Sequence, residues 1–217
     1  MLNALSALIP EGERIVVIED ARELQLQRDH VVQLESRPPD AKGKGAITIR
    51  DLFKATLRMR PDRIVLGEIR GGEALDLVQA MTSGHGGCLT TVHATYPIDT
   101  LNRLETMALM GGVELPLSAL RSQLASAVDI IVQTARLRDG RRKVTHITEV
   151  DGTDPVHGYR IKDLFGFDPA PARAGSEPSY QLIPTGILPD CLPLLRSQGL
   201  ELPSSMYAAA SPKRQAS

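Results

Sequence analysis

Two short apolar runs, Ile15-Val16-Val17-Ile18 and Ile64-Val65-Leu66-Gly67, restrict the fold more than any other feature of the chain. Neither alternates with polar residues. Runs of this length and composition read as strands covered on both faces, which is the habit of parallel sheets with helices on either side. The stretches between them change to helical spacing. Thr48 caps a helix with apolar positions Ile49, Leu52, Phe53 and Leu57, and Pro61 ends it. Glu73 to Thr82 reads as the next helix, Leu89 to Val92 as another strand, and Pro97 opens a helix at its first turn. Val31 to Leu34 is a weaker strand, and Leu117, Leu120 and Leu124 mark one more helix. Ile130 to Leu137 and Lys143 to Val150 read as a hairpin about Asp139-Gly140. Strands alternating with helices predict an α/β fold with a mostly parallel sheet over residues 1–150.

Composition shifts after about Val150, where nine of the 15 prolines lie. Short strands near Tyr159 to Phe167 and Tyr180 to Ile183, and a helix near Asp190 to Ser197, are expected in a small region 151–207. The small, polar stretch Ala208 to Ser217 (region 208–217) reads as a disordered tail. The formal charge of −1 gives no basis for a nucleic-acid footprint. Two cysteines, Cys88 and Cys191, make no disulfide framework, so a reducing cytoplasm fits. No apolar run approaches the roughly 18 residues of a membrane span.

In open parallel sheets ligands bind beyond the carboxyl ends of the strands. Three strand ends here carry polar groups. Ile18 runs into Glu19-Asp20 with Glu23 beyond, Gly67 runs into Glu68, and Val92 runs into His93, with His85 before that strand. Neighbouring strands would gather these groups in one crevice. Carboxylates can orient hydrated Mg²⁺ or an attacking water, and an imidazole can meet a phosphate oxygen. A lone acid after a strand is more often a cap or a turn. Repetition at three ends favours the functional reading. His85, Cys88 and His93 lack the paired spacing of a zinc site. A phosphate cradle of the form G-x-x-x-x-G-K-[ST] is absent. Of six lysines only Lys44 follows a glycine, and Gly45 comes next.

The segments "VVIEDARELQL", "RMRPDRIVLGEIRGGEALDLVQAMTSGHGG" and "CLTTVHAT" resemble, in order, the aspartate box, Walker B motif and histidine box of the type II/type IV secretion ATPases. "HVVQLESRPP" and "LRDGRRKVTHITEV" resemble the CpaF-like branch, which serves tight-adherence (Flp-type) pilus assembly. The resemblance covers Met1 to Val150, and more loosely the stretch through "LRSQGLELP". It implies a RecA-like P-loop ATPase core in a homo-hexameric ring, using ATP and Mg²⁺. That ring would work with inner-membrane platform proteins, peripherally on the cytoplasmic face. On that resemblance Glu68 positions the attacking water or supports Mg²⁺. Glu19, Asp20 and Glu23 serve the metal and water network, with Glu19, Asp20 and Glu68 meeting the metal through its bound water. His93 with His85 senses the γ-phosphate, and Arg58, Arg60 or Arg70 neutralises charge in the site or reaches a neighbouring subunit.

In such ATPases the glycine-rich loop leads into a helix much like "MLNALSALIPEGERIVVIED", with which this sequence opens. The chain is therefore expected to be the C-terminal part of a secretion ATPase, truncated or mis-started just after the phosphate loop, and inactive alone. A non-catalytic partner subunit of an ATPase ring and a fragment of a conjugation-type DNA-transfer motor are the rivals. Without phosphate opposite them, Glu19, Asp20, Glu23 and Glu68 are expected to repel one another, which raises some of their pKa values.

Overall fold

The computed structural model describes residues 1–169 and 180–208. The elements follow as α1 (Leu2–Ser6), β1 (Ile15–Glu19), β2 (Val31–Glu35), α2 (Ile49–Thr56), β3 (Arg63–Leu66), α3 (Glu73–Thr82) and β4 (Leu89–Thr90). Then come α4 (Pro97–Leu109), α5 (Leu117–Ala127), β5 (Ile130–Arg136), β6 (Arg142–Asp154), β7 (Gly158–Pro169), β8 (Tyr180–Pro184) and α6 (Leu192–Ser197). The chain divides into two compact units, Met1–Ala94 with Leu101–Ala127, and Thr95–Thr100 with Val128–Ser217.

The first unit is built on four parallel strands in the order β2-β1-β3-β4. Register places Val16 beside Ile64, Val17 beside Val65 and Ile18 beside Leu66. All six are buried, as the unbroken apolar runs predict. Because strand side chains alternate, Ile15, Val17 and Val65 share one face. There they pack with Leu2 and Ile9, and Leu24, Leu26, Val31 and Leu89 close the margin. Helix α2 packs on β1 and against α3, and α3 against α5. Phe53 of α2 is completely buried, a burial worth roughly 1.5–3 kcal/mol.

Local chemistry sets the ends of α2. Thr48 accepts the Asp51 N–H, and the Asp51 carboxylate returns to the Thr48 N–H, a complete capping box. The helix stops at Thr56, ahead of Pro61. A tight turn follows in which Arg60 takes the left-handed conformation (φ 52°), which costs a non-glycine residue roughly 1 kcal/mol. Strand β4 ends at Thr90, two residues short of the predicted Val92.

The second unit holds an antiparallel sheet in the order β5-β6-β7-β8. The Asp139-Gly140 hairpin forms as read. The Leu137 N–H donates to Arg141 O (2.8 Å) and the Gly140 N–H to Leu137 O (2.9 Å), with Gly140 at φ 84°. The strands after Val150 are longer than their proline-rich composition suggested, since β6 and β7 run 13 and 12 residues. The buried Glu149 carboxylate accepts the N–H groups of Asp190 (2.9 Å) and Cys191 (3.3 Å) and so fastens the start of α6. The compact division falls at Ala127/Val128, whereas composition changes at Val150. Within 1–150 the hairpin strands belong to the antiparallel sheet, not to the parallel one. Of the stretch Ala208 to Ser217, residues 209–217 lie outside the described residues.

Candidate functional site

Parallel pairing sends the carboxyl ends of β1, β3 and β4 to one edge of the sheet. Beyond the last ladder bonds the chain stays knitted. The Ile69 N–H donates to Thr91 O (3.0 Å), and the Thr91 hydroxyl donates to Gly67 O (2.6 Å). These bonds hold the segment after β3 against the segment after β4, and they bring Glu68 to His93. His93 Nε2 lies 3.2 Å from Glu68 Oε1. The other oxygen, Oε2, accepts from Arg70 at 2.6 Å. The same guanidinium reaches Asp20 Oδ2 at 3.5 Å, and Asp20 Oδ1 accepts from the Ser36 hydroxyl at 3.0 Å. Glu68, Arg70, His93 and Asp20 thus form one charged cluster on the strand-end edge.

For Glu68 the expected rise in pKa is corrected. The Arg70 hydrogen bond holds the Glu68 carboxyl below its ordinary value, against some burial, with help from the charges of Arg70, His93 and Arg103. Of the three arginines named from the sequence, Arg70 is the one that stands beside Glu68 and lowers its pKa.

Glu19 has a different position. It is buried, and its Oε1 accepts the N–H groups of Glu23 (3.1 Å) and Leu24 (2.9 Å). Its stem runs beside Gly67, where an added Cβ would lie 3.0 Å from Glu19 Cγ, so a glycine ends the β3 run. One oxygen of Glu19 is therefore spent on fastening the loop after β1. Glu23 is exposed and gives its backbone N–H to that arrangement; its charge acts on Arg70 without direct pairing.

The remaining candidates are not brought to the cluster. Helix α3 carries the chain back across the sheet, so His85 lies before β4, on the edge where strands begin. Gly87 there sits against the guanidinium of Arg63, the first residue of β3. The pairing of His85 with His93 is corrected accordingly. Arg58 and Arg60 also precede β3, exposed on that far edge, and so cannot neutralise Glu68 within the same chain. Cys88 donates to His85 O (3.2 Å), and burial pushes its thiol up to about 11, which disfavours a thiolate ligand.

Sequence reasoning missed Glu73. Its Oε1 accepts the N–H groups of Arg70 (2.7 Å) and Gly71 (2.8 Å), which closes the turn that aims Arg70. A glutamate opening a helix three residues after a functional arginine was the available signal. Ser36 and Thr91, the orienting hydroxyls, had none.

The arrangement suits an anion better than a directly held metal. Among the described residues no group of three His, Cys, Asp or Glu is placed to hold a metal ion. Glu68 and Asp20, the two carboxylates nearest the edge, already share the charge of Arg70. The residues present therefore do not fit an inner-sphere Mg²⁺ site. Arg70 and His93 offer N–H donors to phosphate oxygens, and a carboxylate relieved of them can orient water.

The family described as "Type II/IV secretion system protein" matches residues 1–157. A Mycobacterium tuberculosis protein whose name links it provisionally to conjugal transfer is 44% identical over 147 residues, covering 68% of this chain and 41% of that protein. The type IV secretion system protein PtlH of Bordetella pertussis is 42% identical over 158 residues, covering 70% and 46%. The crystal structure of the VirB11 ATPase of the Brucella suis type IV secretion system, in complex with sulphate, superposes with a TM-score of 0.59 at 35% identity. It covers 67% of this chain and 43% of that one. The chain spans less than half the length of these relatives. With the parallel core and the strand-end cluster it shares the matched region, and the chain belongs to the type II/IV secretion system protein family.

Proposed function

We propose that the chain is the catalytic-edge portion of a secretion ATPase that couples ATP hydrolysis to export or pilus assembly. The convergence of Glu68, Arg70, His93 and Asp20 on one strand-end edge carries this reading. In it Arg70 and His93 turn from Glu68 to the terminal phosphate, and the freed carboxylate orients the attacking water. Mg²⁺ enters with the nucleotide rather than as a resident ion. The "HVVQLESRPP" and "LRDGRRKVTHITEV" segments support the tight-adherence branch. The name of the M. tuberculosis relative favours a second reading, a conjugation motor.

The working form in this reading is a hexameric ring against inner-membrane platform proteins, peripheral on the cytoplasmic face. Among the described residues no helix is long and apolar enough to cross a membrane. Arg58 and Arg60, exposed on the far edge, are then candidates for contact with a neighbouring subunit.

These 217 residues contain no G-x-x-x-x-G-K-[ST] loop, whose backbone N–H groups and lysine are the chief β/γ-phosphate ligands. We infer that they neither bind Mg-ATP saturably nor turn it over alone. Calorimetric titration with Mg-ATP tests this directly. Saturable one-to-one binding in the micromolar range would overturn the inference and favour an unconventional nucleotide site.

A further inference from the structure

The β5–β6 hairpin ends in a concentration of positive charge that the ATPase reading leaves unused. From Arg136 to Lys143 the sequence is RLRDGRRK, with five cations and one acid. The chain as a whole carries −1, so everything outside this tip sums to −1 − (+4) = −5. All five cations are exposed. Asp139, the one acid, is occupied by Arg141, accepting its backbone N–H (2.9 Å) and its Nε (2.7 Å). Arg136 Nε donates weakly to Gly140 O at 3.3 Å. Among the described residues, the side chains of Arg138, Arg142 and Lys143 make no hydrogen bond or ion pair.

The tip stands clear of its own sheet. Strand β6 pairs with β7 only from Ile147 onward, so Arg142 to His146 pair with β5 alone and the hairpin extends as a two-stranded arm. Arg136 and Arg142 are direct register partners. Like charges set opposite each other on an antiparallel pair disfavour the pairing, and an external anion would relieve this pair.

We propose that this arm is a docking surface for an anionic phospholipid bilayer. The stretch Arg136 to Lys143 contains no aromatic side chain to stack on a base and no amide to read one. Its charges form a blunt tip rather than a groove that could track a nucleic-acid backbone. With −5 on the remainder of the chain, net charge gives an anionic leaflet no attraction to the chain outside the arm. The proposal extends the peripheral-membrane reading above from a location to a surface.

Each Lys or Arg close to an anionic leaflet contributes about fivefold in partitioning, so reversing three of them should cost at least about a hundredfold. The test is co-sedimentation of the 217-residue chain with vesicles of phosphatidylcholine, with and without about 30% phosphatidylglycerol, at about 50 mM and about 300 mM NaCl. Binding is expected only with phosphatidylglycerol, weakening at the higher salt. The R138E/R142E/K143E variant should lose it, while R138K/R142K should keep it. Circular dichroism checks that both remain folded, as exposed positions allow. Indifference to phosphatidylglycerol, undiminished binding by the charge-reversed variant, or binding of a DNA duplex in place of vesicles would each overturn the proposal. Failure on lipid alone leaves recruitment by a membrane protein, and the ATPase reading, standing. Failure of the ATPase reading would not alter vesicle binding, which needs no nucleotide.

Discussion

Replacing Glu19 by alanine separates a structural acid from a catalytic one. The carboxylate is buried, and its Oε1 accepts two backbone N–H groups, those of Glu23 and Leu24. Leu24 and Leu26 then close over the Ile15, Val17 and Val65 face of the sheet. Removing the acceptor orphans two partly buried donors, at about 1–3 kcal/mol each when unsatisfied. Water reaches this margin, which argues for the lower half of that range. Losing a buried charge returns part of its desolvation cost. The net expectation is a loss of about 2–3 kcal/mol, and for a chain of this size a fall in Tm of about 4–12 °C. Glu19→Gln keeps the acceptor oxygen and should stay within about 1 kcal/mol of the unaltered protein. Far-UV circular dichroism during heating gives the global figure. Amide exchange at Glu23 and Leu24 gives the local one, and both amides should lose protection only in the alanine variant. Unchanged melting together with unchanged protection of Leu24 would refute the reasoning and return Glu19 to the list of free acids.

Other perturbations reach different parts of the molecule. Glu68→Gln, in any longer form of the protein that hydrolyses ATP, should abolish turnover while sparing nucleotide binding; retained turnover would remove Glu68 from the chemical step. Because Arg70 holds the Glu68 pKa below its ordinary value, their pairing contributes fully above that ordinary value and is lost as pH falls through the folded-state one. Arg70→Ala should therefore move the Glu68 titration upward, read from its side-chain ¹³C shift, and no movement would show that the pair does not persist in solution. Gly72→Ala would set a Cβ 2.8 Å from Gly111 Cα, backbone against backbone, and should destabilise by about 1–3 kcal/mol in urea denaturation. Arg60→Gly relieves a left-handed residue and should stabilise by roughly 0.5–1 kcal/mol; a loss of stability would mean that the arginine side chain contributes more than its backbone strain costs.

The parallel half of the fold was legible because its signal is local and strong. Ile15 to Ile18 and Ile64 to Leu66 are too apolar to be exposed on either face, and Thr48 with Asp51 spells a helix start. The antiparallel half was not. Its long strands carry polar residues that succeed only in a register the sequence does not display, as when the Thr148 hydroxyl donates to Asp163 across the β6–β7 pair at 2.5 Å. The division at Val128 was likewise hidden, since composition does not change there but only after Val150.

Within the site, legibility followed chain direction. A residue just after a parallel strand lands on one edge, and a residue just before it lands on the other. Glu68 and His93 follow β3 and β4, and they meet. His85, Arg58 and Arg60 precede those strands and face away, although they lie as close in sequence. Motif spacing alone does not express this difference; topology does. The sequence names Arg58, Arg60 and Arg70 together and does not say which of them meets Glu68. Arg70 stands two residues beyond Glu68, with the buried Ile69 between them. In a regular strand positions 68 and 70 would share a face and point alike. The Glu73 carboxylate instead folds the chain at Arg70 and Gly71, and it turns the guanidinium back onto Glu68 and across to Asp20. A carboxylate cluster that should repel itself is thereby held closed by one side chain. A phosphate must draw that side chain away before Glu68 can orient water, so in the proposed mechanism arrival of the anion and release of Glu68 are one event.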